Sequence, residues 1–200
     1  MTDASAPERA LQAIVSELGS RRRAFALVGG LAVSIRAEVR FTRDVDLAVV
    51  VRDDADAEAL VRELSAAGYR PLALVEHETA KRLSTVRLAS PEGVVVDLLF
   101  ASSGLEYEIA LRAEPMDLPE IGMVPVARAE ELLAMKILSM RDARLQDRLD
   151  AQRLLEVGAI DVAAVRADLA LIRERGFDRG QDLDAKLTSI LEAVARYSDS

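Results

Sequence analysis

The chain contains no cysteine and no tryptophan, one histidine (His77), three tyrosines and four phenylalanines in 200 residues. Without cysteine there is no disulfide, no thiolate nucleophile and no cysteine-ligated zinc. A single histidine excludes a multi-histidine metal centre, so any bound metal must be held by oxygen ligands, which favours Mg2+ or Mn2+. No apolar run approaches the roughly 20 residues of a membrane span, and the polar start Met1-Thr2-Asp3-Ala4-Ser5 has no signal-peptide core. A cytoplasmic location with no membrane partner is expected. A formal net charge of −8 opposes unspecific binding to nucleic acid. It leaves room for local basic groups, here Arg21-Arg22-Arg23 and the arginines that follow residue 140, which read as solvated faces unless the fold clusters them.

Half of the composition is apolar, enough for a sheet domain with a helical appendage. Helical spacing of Leu11, Ile14, Val15 and Leu18 after Pro7 predicts a first helix ending at Gly19. A strand over 24–28, a helix over 30–37 and a strand over 45–51 follow. Asp53-Asp54 caps a helix over 55–67, and 69–75 is extended. Ser90-Pro91-Glu92-Gly93 is turn chemistry between apolar runs, which predicts a hairpin of 81–89 with 93–100. A short helix over 103–111 and an extended stretch at 121–126 complete this part. From Arg128 onward the pattern is helical, near 128–141, 144–157, 161–175 and 182–197. The expected fold class is α+β: a mixed sheet flanked by helices in domain 1–126, then a helical bundle in domain 127–200.

Asp44-Val45-Asp46 opens the apolar run Leu47-Ala48-Val49-Val50-Val51. In a strand both acids lie on one face, about 6 to 7 Å apart, because side chains alternate. A third acid, Asp97, stands between Val94-Val95-Val96 and Leu98-Leu99-Phe100. On a neighbouring strand about 4.8 Å away it would converge with the first two. Three such carboxylates repel one another unless a cation sits among them, which suits phosphoryl transfer, where charge neutralisation and alignment dominate. Taken singly, an Asp-x-Asp pair most often solvates a strand edge. Gly29-Gly30 gives it context: the glycines follow one strand and precede a helix, and Gly30 lies fourteen residues before Asp44, so glycine and acids share a sheet edge where N–H groups can receive phosphate.

Leu27-Val28-Gly29-Gly30-Leu31-Ala32-Val33 followed by Arg40-Phe41-Thr42-Arg43-Asp44-Val45-Asp46-Leu47 resembles the signature of the DNA polymerase β-like nucleotidyltransferases, in detail their AbiEii toxin branch of type IV toxin–antitoxin systems. Glu130-Glu131-Leu132-Leu133-Ala134-Met135-Lys136 resembles that branch's lysine helix, and Arg144-Leu145-Gln146-Asp147-Arg148-Leu149-Asp150 its closing motif. Gln146 departs from the lysine often found there. Gly30 departs from the serine of the wider superfamily. The resemblance implies a metal-dependent nucleotidyltransferase that moves a nucleoside monophosphate from a nucleoside triphosphate to RNA (a tRNA end) or protein, as a toxin with a separately encoded antitoxin. By the same resemblance Asp44, Asp46 and Asp97 bind Mg2+ or Mn2+ and, with Lys136, are catalytic. Gly29, Gly30, Arg40, Thr42, Lys136 and Asp147 bind nucleotide, Asp150 is structural, and His77 reads as a surface residue. Two alternatives stand beside this reading: transfer to a small molecule such as an aminoglycoside, and a catalytically idle binding module of the same fold.

Overall fold

A computed structural model describes residues 5–37, 42–77, 81–141, 145–158 and 160–198. The first helix, α1 (Ala6–Ser20), starts at a capping box in which the Glu8 N–H donates to Ser5 Oγ and the Ser5 N–H to the Glu8 carboxylate. Ala10, Leu11, Ile14 and Leu18 form its buried stripe. The chain then enters β1 (Phe25–Val28), turns at Gly29 into α2 (Gly29–Arg36), and returns in β2 (Asp44–Val49). Helix α3 (Asp54–Ala66) is capped by Asp53, whose carboxylate accepts the Asp56 N–H. Strands β3 (Arg70–His77), β4 (Arg82–Ala89) and β5 (Val95–Leu99) follow, then α4 (Glu106–Arg112), β6 (Glu114–Leu118) and β7 (Gly122–Val126).

The seven strands of the described residues form one sheet in the order β3-β4-β5-β2-β1-β7-β6. β2 is antiparallel to β1 and parallel to β5, and β4 is antiparallel to β5, as the expected hairpin requires. The register aligns Val28, Asp46, Asp97 and Arg87 in one row across four adjacent strands. Paired positions share a face, so this row determines the site. The strand β6 differs from expectation. Pro115 and the acids Glu114 and Asp117 obscure its pattern, yet it pairs with β7 as an edge strand, where proline and charge are tolerated.

The remaining helices are α5 (Ala129–Ser139), α6 (Leu145–Val157), α7 (Val162–Glu174) and α8 (Leu183–Ser198). α5 packs against α6, α7 and α8, while α2 of the sheet region packs against α5 and α6. One hydrophobic core runs from Leu11 and Leu27 through Leu98 to Leu133, Leu169 and Ile190, so the sheet and the helices are buried against each other. Among the described residues no helix is long and apolar enough to cross a membrane.

The early basic run lies away from the site. Arg23 binds the Asp56 carboxylate at 2.8 and 2.9 Å, and Arg21 pairs with Glu17 and Glu63. These residues precede the first residue of β1, whereas the row of acids meets its last, Val28. Arg21 and Arg23 therefore brace α1 and α3 rather than join the arginines beyond residue 140.

Candidate active site

Gly29 sits in the left-handed region (φ +66°), and a Cβ built there would lie 2.0 Å from Asp46 Oδ2. Only glycine combines that backbone angle with that approach. The Gly30 N–H donates to the Asp46 carboxylate. No side chain caps the start of α2, whose N-cap residue is Val28, so its positive end faces the acids. The glycine pair and Asp46, neighbours in the expected reading, are in direct contact.

Asp44 and Asp46 share a face of β2, and Asp97 of β5 pairs with Asp46 across the parallel ladder. Burial pushes the Asp46 pKa up to about 6, helped by the Asp97 and Asp44 charges, while Lys136 and the Gly30 N–H pull it down. A buried carboxylate flanked by two others is a place where a cation relieves repulsion, and the donor set is all oxygen, as Mg2+ or Mn2+ requires. These residues fit such an ion. Among the described residues, however, no three acid or imidazole groups are gathered into a ready cage. Asp97 is otherwise engaged: Arg87 of β4 grips both its oxygens, Nε to Oδ1 at 2.9 Å and Nη2 to Oδ2 at 2.6 Å. That fork raises the Arg87 pKa further.

Lys136 projects from α5 into the same cleft. Its ammonium lies 3.0 Å from Asp147 Oδ1 and 2.8 Å from Asp150 Oδ2, both on α6. Asp150, expected to be structural, is fully buried and so shares the lysine with Asp147. Gln146, the departure from the family pattern, donates to Asp150 Oδ1 at 2.8 Å and so keeps this cluster hydrogen-bonded. Thr42 lines the cleft with a buried hydroxyl that has no hydrogen-bond partner among the described residues, an orphan suited to a ligand. Arg40 lies outside the described residues.

The cleft has a volume of about 1280 Å³ and joins the glycine turn, the three acids, Thr42, Lys136 and Asp147. Beyond Asp97 it continues to Arg87, to Glu76 and His77 at the end of β3, and to the loop 176–180 between α7 and α8. That loop is tied to the sheet. Arg179 Nη2 donates to the Ser102 carbonyl at 3.0 Å, and the Phe177 ring lies 4.3 Å from the His77 ring. His77, expected at the surface, is half-buried in the cleft wall. Arg87 and the loop escaped sequence reading because Arg87 sits amid the alternating pattern of β4 with no motif around it. The only usable signal was the hairpin register, which sets Arg87 opposite Asp97.

The model of the family described as nucleotidyl transferase AbiEii toxin, type IV toxin–antitoxin system, matches residues 9–197. No curated protein sequence matches. Among solved structures, an antigenic nucleotidyltransferase-like protein from Paracoccidioides brasiliensis is 18% identical with a TM-score of 0.51, covering 92% of each chain. ANT(2″)-Ia in complex with adenylyl-2″-tobramycin is 13% identical with a TM-score of 0.51, covering 86% of this chain and 99% of that one. At these identities the likeness is one of fold. The family match spans almost the whole chain and contains the glycine turn, the acids and the lysine helix: the protein is a nucleotidyltransferase and belongs to the AbiEii family.

Proposed function

We propose that this chain transfers a nucleoside monophosphate from a nucleoside triphosphate to a hydroxyl of RNA, acting as the toxin of a pair whose antitoxin is a separate protein. The observation that carries the reading is the convergence of Asp44, Asp46 and Asp97 on one sheet face, in a cleft that Lys136 and the start of α2 also line. The terminal phosphates lie toward the N–H groups of Gly29 and Gly30 and toward Lys136, which Asp147 and Asp150 hold in place. Thr42 offers its unpartnered hydroxyl to the same group.

Asp44 and Asp46 are the residues that would hold Mg2+ or Mn2+, joined by Asp97 once its fork with Arg87 opens. Bound there, the ion neutralises charge on the transferring phosphoryl group. Asp97 stands on the acceptor side of the pair and is placed to take the proton of the attacking hydroxyl. The new O–P bond forms as the bond to pyrophosphate breaks.

The test is incubation of the protein and Mg2+ with each labelled triphosphate, together with total tRNA, a protein extract or an aminoglycoside panel. Label in RNA that is lost in Asp46→Asn supports the reading. Label only in protein or only in an aminoglycoside would replace the acceptor. No transfer to any acceptor, and no Mg2+-triphosphate binding by calorimetry, would leave an idle binding module.

A further inference from the structure

Across the sheet the active-site row runs from the end of β1, beside the glycine turn, through Asp46 and Asp97 to Arg87. Strands lie about 4.8 Å apart, so Arg87 is roughly 14 Å from the glycine turn, with the carboxylates between. Helices α5 and α6, which carry Lys136 and its partners, pack on α2 and so belong to the glycine end. Phosphoryl transfer places the attacking and leaving oxygens in line on opposite sides of phosphorus. With pyrophosphate at the glycine end, the acceptor hydroxyl must come over β5 and β4. Arg87 is the cation at that end of the row.

Two features set this arginine apart from a surface ion pair. Its guanidinium lines the cleft and its side chain is 49% exposed, while the Asp97 side chain that it grips is 10% exposed. It also feels Asp44 and Asp46, so it answers the charge of all three carboxylates. A divalent ion that took Asp97 would leave this guanidinium without its anion, in the path of the acceptor. Beyond it the wall carries Arg179, His77, whose ring lies against Phe177, and the acids Glu76 and Asp178. Asp178 is partly used within its loop, where it accepts the Gly180 N–H.

We propose that Arg87 is an acceptor-binding residue. It holds Asp97, yields that carboxylate to the cation that accompanies the nucleotide, and then binds the backbone phosphate next to the attacking hydroxyl of a polynucleotide. The proposal rests on the nucleotidyl-transfer reading above and adds the acceptor's chemistry. A planar fork suits phosphate as it suits carboxylate, whereas a cationic acceptor would be repelled at the point of attack.

The test measures wild type, Arg87→Ala and Arg87→Gln in the full chain. The probes are a single-stranded RNA oligonucleotide with a free terminal hydroxyl, and Mn2+ with a non-hydrolysable triphosphate. Arg87→Gln keeps an N–H donor at the position of Arg87 Nε, which bonds Asp97 Oδ1, so it carries the test if Arg87→Ala does not fold. Both variants are expected to lose about tenfold in RNA affinity, and the slope of log affinity against log salt to shrink by about 0.7, one phosphate contact on a single strand. Affinity for Mn2+ and triphosphate stays or rises, because a competing cation has gone. Unchanged RNA affinity and slope overturns the proposal, as does a loss confined to the triphosphate, which would assign Arg87 to the nucleotide. A wild type that transfers only to protein or aminoglycoside also overturns it while nucleotidyl transfer stands. A wild type that binds no triphosphate removes both readings.

Discussion

Gly29 and Asp46 touch: the space a Cβ would need at Gly29 is filled by the Oδ2, Cγ and Cβ atoms of Asp46, at 2.0, 2.6 and 2.7 Å. The glycine is thus conditioned by the carboxylate as much as by the turn. Because the clash reaches the Asp46 Cβ, no swing of the carboxylate relieves it.

Gly29→Ala is therefore expected to abolish nucleotidyl transfer and to destabilise the fold, with about 1–2 kcal/mol from the left-handed backbone alone and more from the clash. Urea unfolding and a transfer assay check this. Full activity in Gly29→Ala would show that Asp46 is not held where the geometry puts it.

Lys136→Met removes the cation from Asp150, which is fully buried. Breaking a buried pair from one side costs roughly 3–5 kcal/mol, so the unfolding midpoint in urea should fall markedly. Asp147→Asn should cost less stability, since Lys136 retains Asp150, while still weakening triphosphate binding. Equal stability of Lys136→Met and wild type would contradict the paired geometry.

Asp46, raised to about 6, binds a proton in the folded chain at pH values where an unfolded aspartate near 4 does not. Stability from this group therefore declines as pH rises from about 4 to about 6. Cation binding, which needs the ionised form, strengthens over the same window. Carboxylate NMR should find a midpoint near 6, lowered in Asp44→Asn because a repelling charge is gone, and lowered again by Mg2+. A midpoint near 4 in the wild type would refute the prediction.

Glu131 offers a second, independent pH test. Burial pushes its pKa up to about 7, and Asp168 adds to the rise against Arg128 and Arg112. Its Oε2 accepts the Arg128 N–H at the start of α5, while Oε1 has no hydrogen bond. Ionisation between about 4.5 and 7 should thus cost stability as pH rises. Glu131→Gln retains the acceptor and removes the charge, so its melting temperature should exceed the wild type's at about pH 8 and converge with it at about pH 5. A variant less stable at both would sink the idea.

Much of the chain's architecture is legible without coordinates because its signals are local. Pro7 before the Leu11–Leu18 stripe, Asp53 before α3, the Ser90–Gly93 turn and the helical spacing after Arg128 each depend on neighbours within a few residues, and the elements fall where they indicate. The edge strand β6 was hidden because its stability comes from pairing with β7 and not from its own alternation. The charged neighbours Glu76 and Glu78 mark His77 as a surface residue, but nothing local announces its contact with Phe177 a hundred residues later.

By itself the sequence supplied the candidate parts of the site: period two puts Asp44 and Asp46 on one face, a glycine pair stands between a strand and a helix, and oxygen is the ligand chemistry left when cysteine and all but one histidine are absent. Only the tertiary structure decided how the parts are engaged. Strand register set Asp97 between Asp46 and Arg87, and helix packing buried Asp150 beneath Lys136. Register and packing are fixed by long-range burial, in which residues far apart in the chain compete for one partner, and no local pattern encodes which of them wins.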